Sequence, residues 1–196
     1  MTGLLIRIKH SFPALWRAVE WANGKAMKLR YPRLGEIAAA EAAATECGTG
    51  RFAVLSETEL PRLHRFLISL PEESLVHFNP HAFTLRTLRR LHRSGSFVMI
   101  GVWEGESLVG YHFLRCFATG RCFHGLAVGP AAQGRGIGRT MWDLGARIAS
   151  GAGLAMFATI SEHNLPSLTS CRRGCEMTVA DRLPGSYLLI RCTPKT

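Results

Sequence analysis

Acidic residues are scarce in this chain: 14 Asp and Glu stand against 24 Lys and Arg, giving a formal net charge of +10 at pH 7 and a pI near 10.0. That imbalance predicts an anionic partner without naming one, since a phosphorylated cofactor, a sugar nucleotide, an anionic membrane and RNA all qualify. Nucleic acid is the poorest candidate, because the basic residues are not interleaved with aromatics in a stacking surface. Long apolar runs are also missing. The longest are interrupted by Arg, His or Gly before they reach the roughly 20 residues of a spanning helix. The six cysteines, Cys47, Cys116, Cys122, Cys171, Cys175 and Cys192, contain no metal-type CxxC pair, and no signal-peptide pattern precedes them. Free thiols in a reducing, cytoplasmic setting are therefore expected. No metal is expected either: His77 and His81 are four apart, but Pro80 lies between them and no third ligand is evident.

What is present falls into two parts, residues 1–50 and 51–196. In the first, Phe12, Leu15, Trp16 and Val19 repeat at helical spacing behind Ser11 and Pro13. Arg7, Lys9, Arg17, Lys25, Lys28, Arg30 and Arg33 supply positive charge against the one acid Glu20, so a basic amphipathic helix is predicted to end near Tyr31-Pro32. An alanine-rich helix follows over Ile37–Thr45, stopped by Gly48 and Gly50. Both helices can pack on the rest of the chain or on a second copy in a homodimer. A basic amphipathic helix also suits peripheral contact with an anionic inner membrane face.

From residue 51 the apolar period alternates as in a mixed α/β domain. The order read is a strand (Arg51–Leu55), a helix (Thr58–Leu70, capped by Ser56 or Thr58), and a helix from His81 or Phe83 to His92. A hairpin follows, Phe97–Trp103 and Leu108–Phe117, turned by Glu104-Gly105-Glu106. Then come a strand (Arg121–Val128), a helix (Gly136–Ser150), a strand (Leu154–Ile160), a helix (Leu165–Arg173), and closing strands Met177–Asp181 and Tyr187–Cys192.

The most informative stretch joins the strand ending at Val128 to the helix after it. Between them lie Gly129-Pro130 and then Gln133-Gly134-Arg135-Gly136-Ile137-Gly138. Three alternate glycines leave main-chain N–H groups unobstructed, and the helix N-terminus adds its partial positive charge, so a pyrophosphate can be bound largely by backbone. Arg135 and Arg139 add charge. The pattern is neither a P-loop, since no Gly-Lys-Ser/Thr follows, nor a dinucleotide fingerprint, since no βαβ unit surrounds it.

The succession strand, Val-Gly-Pro, Gln-x-x-Gly-x-Gly, helix resembles motif A of the GNAT acetyltransferase superfamily, and the resemblance runs over roughly residues 51–192. It implies an α/β (α+β) fold with a mostly antiparallel sheet flanked by helices, here with a helical N-terminal extension. It further implies acetyl-CoA as cosubstrate, held by Gln133, Gly134, Arg135, Gly136, Ile137, Gly138 and Arg139 at the pyrophosphate. The backbone of Leu126, Ala127 and Val128 would meet the pantetheine arm and the thioester carbonyl. Ser161-Glu162-His163-Asn164, with Ser167 downstream, is similar to motif B, implying Asn164 and Ser167 as further cofactor contacts. The tyrosine that often protonates the leaving thiolate is replaced by Cys171, a candidate acid in its stead.

Amine attack on a thioester needs a neutral amine, a polarised carbonyl and a protonated leaving group, with no covalent enzyme intermediate. The family's usual Glu on the strand before the cradle is absent. His124, which shares a strand face with Cys122, Leu126 and Val128, is the candidate base, acting directly or through water. Phe78 to Thr84 is similar to GNAT enzymes of surface-polysaccharide or amino-sugar pathways, which suggests His77, Phe78 and His81 as acceptor contacts and an amino sugar as acceptor. Two alternatives stay open: a protein or peptide N-acetyltransferase, and a non-catalytic acyl-CoA-binding or membrane-associated module.

Overall fold

Short apolar and β-branched runs form the strands, the central ones buried on both faces, and in the computed structural model, which describes residues 13–48 and 50–195 with side chains from residue 18, these strands join one sheet. Arg7, Lys9, Ser11 and Phe12 lie outside the described residues, as do the side chains of Leu15, Trp16 and Arg17. Helices α1 (Pro13–Arg30) and α2 (Leu34–Ala43) lead to β1 (Glu46–Cys47) and β2 (Gly50–Val54). Next come α3 (Leu60–Ile68), the short α4 (Glu72–Leu75) and α5 (Leu85–Arg93). The hairpin β3 (Phe97–Glu104) and β4 (Ser107–Phe117) is followed by β5 (Arg121–Val128), α6 (Ile137–Gly151), β6 (Ala155–Ser161), α7 (Leu165–Gly174), β7 (Glu176–Leu183) and β8 (Tyr187–Thr193).

The helix starts follow local chemistry. Ser56 and Glu59 form a reciprocal capping box ahead of α3, with the Glu59 carboxylate accepting from the Ser56 backbone N–H at 2.7 Å. The expected helix from Thr58 therefore begins as a 3₁₀ turn, Glu57–Glu59, and becomes α-helical at Leu60. Thr84 caps α5 by accepting from the Thr87 N–H. The four-residue α4 and the two-residue β1 lack enough sequence to show a period, and no reading of periodicity finds them.

The sheet order is β1-β2-β3-β4-β5-β6-β8-β7, antiparallel except for β5 beside β6. On one face, α6 buries Ile137, Met141, Leu144 and Ile148, a helical stripe that packs with Leu34, Ala38 and Ala42 of α2 and Met27 of α1. Met27, Leu34, Ala38 and Ala42 thus belong to the same core as the cradle helix. Arg147 of α6 fastens α2 by pairing with Glu41 and by donating to Thr45 Oγ1 at 2.7 Å. On the other face Leu60, Leu63 and Leu67 of α3 and Leu88 and Leu91 of α5 cover Met99, Trp103, Tyr111 and Phe113. Helix α1 crosses one end of the sheet, where Asn23 donates to the Cys116 carbonyl at 2.9 Å and accepts from the Ala118 N–H at 3.0 Å.

Helices α6 and α7 approach closely at Gly174. A Cβ there would stand 2.3 Å from the Arg139 carbonyl oxygen and 2.6 Å from Trp142 Cβ. Backbone cannot yield as a flexible side chain can, so Gly174→Ala is expected to cost about 2 kcal/mol through overpacking. Differential scanning calorimetry would register this as a melting point lowered by roughly 4–8 °C.

Candidate active site

Strands β5 and β6 pair in register only at Arg121↔Ala155, Cys122↔Met156 and Phe123↔Phe157. Beyond Phe123 they part, and β6 continues on β8 through Ser161↔Tyr187. The gap opens toward the C-terminal ends of both strands and becomes a cleft of about 950 Å³. Backbone edges freed by the parting line it, including Leu126, Ala127 and Val128 on one side and Ala158, Thr159 and Ile160 on the other.

The loop after β5 is shaped by its glycines. Gly134 and Gly136 adopt φ of 74° and 86°, a left-handed region that residues bearing a Cβ enter only with strain. A Cβ at Gly134 would meet nothing within 4 Å, and one at Gly136 only Cys47 Sγ at 4.0 Å. Packing therefore does not demand glycine at either position; the conformation and the open space over the loop do. Gln133 donates from Nε2 to the Val128 carbonyl at 3.2 Å and ties the loop across its own base. The first bond of α6 runs from the Thr140 N–H to the Gly136 carbonyl, which leaves the preceding amides directed out of the helix N-terminus into the cleft.

Of the residues expected to hold a cofactor, Leu126, Ala127, Val128, Gln133, Gly134, Gly136, Ile137, Gly138, Arg139, Asn164 and Ser167 all line this one cleft. Arg135 does not: its guanidinium turns to Glu104, 2.6 Å away. Asn164 caps α7 through Oδ1, accepting from the Ser167 N–H at 3.1 Å, and its side-chain amide N–H groups stay available to a ligand. Trp142, which sequence reasoning passed over, forms part of the wall and donates from Nε1 to Ser170 Oγ at 3.2 Å. The segment after α3 adds Glu73, Ser74, His77 and Phe78 to the lining. His77 is exposed, whereas Phe78 is buried against Tyr111 and Phe113. His81 lies outside the cleft, edge-on to Phe83, Phe97 and Tyr111, with burial lowering its pKa.

The two expected proton-transfer groups are placed unsuitably for those roles. His124 borders the inner wall but is only 5% exposed; its ring lies 4.4 Å from that of Trp142, tilted by 43°, and its Nε2 faces His112 Nδ1 at 3.2 Å. Two neutral imidazoles at that distance share one proton. Burial holds His124 down at about 3 and His112 well below its usual value, the latter pushed further by His124 itself. So weak a base does not draw a proton from an ammonium near neutral pH. Cys171 is fully buried and absent from the cleft lining. Its thiol contacts Cys175 Sγ at 3.6 Å and Cys192 Sγ at 3.8 Å, and these hydrogen bonds, with burial, raise its pKa. It is therefore a worse acid than a free thiol and has no route to a leaving group. The face of α7 toward the cleft carries Ser167 and Ser170 instead.

Over residues 61–175 the sequence matches the family model of the acetyltransferase (GNAT) family. No curated protein matches it. Among solved structures, the fold is similar to the GNAT domain of S. lividans PAT, at 15% identity over 72% of this chain and 89% of that one with a TM-score of 0.63. It is similar too to the PaiA N-acetyltransferase of Thermoplasma acidophilum in complex with coenzyme A, at 13% identity over 74% and 99% of the chains with a TM-score of 0.60. A third is the spermidine N-acetyltransferase of Vibrio cholerae in complex with CoA and spermine, at 12% identity over 74% and 93% with a TM-score of 0.57. At such identities the likeness is one of fold. Among the described residues, no helix is long and apolar enough to cross a membrane.

Proposed function

The chain belongs to the acetyltransferase (GNAT) family, and from that premise we propose that it moves the acetyl group of acetyl-CoA directly to a primary amine on a small molecule. The observation that carries this reading is the continuity of one cleft from the left-handed glycines of the cradle to the gap where β5 and β6 part. A phosphate-bearing head and a slender arm ending in a thioester match those two features in order. The open space over Gly134 and Gly136 lets phosphate oxygens reach the main-chain N–H groups, and Arg139 adds its charge. Along the arm, the unpaired edge of β5 from Leu126 to Val128 offers peptide groups to the pantetheine amides and holds the thioester carbonyl. Asn164 fixes the opposite side.

The acceptor enters past Glu73, Ser74, His77 and Phe78. Glu73 attracts an ammonium, and exposed His77 takes the proton that the amine must lose, the part His124 cannot play. The thiolate takes its proton from water at the open cleft. Polar side chains around an aromatic edge suit an amine that also carries hydroxyls, which supports an amino sugar of surface-polysaccharide metabolism as the acceptor class.

Thiol release measured against amino sugars, polyamines and peptides, each with acetyl-CoA, tests the proposal. Release with amino sugars is expected; release with peptides alone moves the assignment to protein acetylation, and binding without release with any amine leaves only a carrier-binding module. His77→Ala is expected to lower kcat/KM for the acceptor about a hundredfold while leaving acetyl-CoA affinity unchanged, the loss of the group that takes the amine's proton. Unchanged acceptor kinetics would remove His77 from the reaction.

A further inference from the structure

A second cavity, of about 710 Å³, lies at the other end of the sheet between α1, α5 and the β3–β4 hairpin, and shares no lining residue with the acetyl-transfer cleft. Its size falls within the range of small-molecule sites. The floor is apolar, made by Leu91, Phe97 and Phe117, with Val19 and Trp21 of α1 along one side. The rim is cationic. Arg86, Arg89, Arg90 and Arg93 repeat at helical spacing and form one stripe of α5 facing the cavity, and Arg115 of β4 joins them.

That stripe is costly for the helix on its own. Like charges three and four residues apart repel, and Arg86 stands in the first turn, where the helix dipole disfavours a cation. Nearby acids compensate only part of it. Glu57 pairs with Arg93, and Glu20 is shared between Arg115 at 3.1 Å and Arg90 at 3.6 Å. Arg86 and Arg89 make no ion pair among the described residues. Arg115 is mostly buried, and that burial disfavours its charge, an arrangement a bound anion would relieve. The cavity walls are held in place: a Cβ at Gly24 of α1 would stand 2.1 Å from the Ser94 carbonyl oxygen, so helix and loop are in direct contact.

We propose that this cavity is a binding site for a monomeric amphiphilic anion, its phosphate or carboxylate head among Arg86, Arg89 and Arg90 and its apolar body on Leu91, Phe97 and Phe117. Head and body are both required by the lining: cations alone would suit any small anion, and an apolar floor alone any hydrocarbon. The site stands apart from the transfer reaction and does not depend on the acceptor's identity.

Isothermal titration calorimetry of the full chain with octyl phosphate, below its micellar concentration, tests it. Saturable 1:1 binding is expected, unaffected by saturating acetyl-CoA. Inorganic phosphate should bind at least about tenfold more weakly, since it leaves the floor empty. The double variant Arg86→Glu/Arg89→Glu should weaken octyl phosphate at least about tenfold while acetyl-CoA affinity, which reports the fold, is unchanged. Arg86→Lys/Arg89→Lys should retain most of the binding. Absence of 1:1 binding, displacement by acetyl-CoA, equal affinity for inorganic phosphate, or indifference to the charge reversal would each overturn the proposal. So would binding only to vesicles containing anionic phospholipid and not to the monomer, which would make the stripe a membrane contact.

Discussion

Gly136→Val is expected to weaken acetyl-CoA binding about a thousandfold while the protein still folds, because two separate costs fall on the same loop. Gly136 is held at φ 86°, and a β-branched side chain there meets a steric penalty of about 1–2 kcal/mol. The penalty is met by rotating the loop out of the left-handed region, which turns the N–H groups of 136–138 away from the phosphates. Each charge-assisted hydrogen bond so lost is worth about 1.5–3 kcal/mol, and two suffice for the expected effect. The space around Gly136 is open, so the substitution causes no core clash, and the melting temperature should fall by only a few degrees. Gly35→Ala is the matched control: it lies in α2 with nothing within 4 Å of an added Cβ and no left-handed φ, and should leave both affinity and folding intact. Calorimetric titration with acetyl-CoA reads the difference. An unaltered affinity in Gly136→Val would mean that the cradle amides do not hold the cosubstrate.

Stability should fall steeply with acidification, and the histidine pair inside the core is the reason. In the unfolded chain His112 and His124 take up a proton near pH 6.5. In the folded chain burial keeps both neutral, His124 down to about 3. Below pH 6.5 the unfolded state therefore binds more protons than the native state, and unfolding is favoured by about 1.4 kcal/mol per pH unit for each histidine. The sign is that of a depressed pKa: full stability above pH 6.5, progressive loss on the way down toward the folded-state value. By pH 4.5 His124 alone costs about 2.7 kcal/mol, a large fraction of the stability of an ordinary domain, and His112 adds in the same direction. Denaturant melts between pH 7.5 and 4.5 would show the slope, and His112→Leu/His124→Leu should flatten it. An equally steep slope in that double variant would assign the acid sensitivity to other groups. His81, whose pKa burial also lowers, contributes in the same direction.

The parts of the site readable in the sequence were those whose chemistry is local. Alternate glycines between a strand and a helix specify a backbone conformation and an open surface within six residues, and Gly134, Gly136 and Gly138 all line the cleft. The capping role of Asn164 is equally local, since its Oδ1 accepts from an N–H three residues on. The proton-transfer groups were misplaced because their surroundings come from distant strands. Alternation correctly places His124 on one face with Cys122 and Leu126, but which face that is depends on α6 covering it, and its partner His112 arrives through the β4–β5 register. Cys171 stands seven residues after Asn164, yet the stripe Leu168, Cys171 and Cys175 is the apolar side of α7 and turns to the core. That i, i+3, i+7 spacing was present in the sequence and outweighs positional analogy. The cavity beside α5 could not be read from the sequence, because arginines at helical spacing are equally common on solvated helices and the apolar floor beneath them comes from the distant β3–β4 hairpin.

The cross-strand register has a chemical corollary. Cys116 pairs with Cys122, Cys122 with Met156, Met156 with Cys192 and Cys192 with Met177, so one row of sulfur crosses five strands. Cys171 and Cys175 lie against the same row. Thiols and thioethers accept hydrogen bonds poorly, and an oxygen added to any of these sulfurs would be left with weak partners deep in the interior. Peroxide damage here would strike the seam between the cradle helix and its sheet, tying the enzyme's endurance to the reducing power of its surroundings.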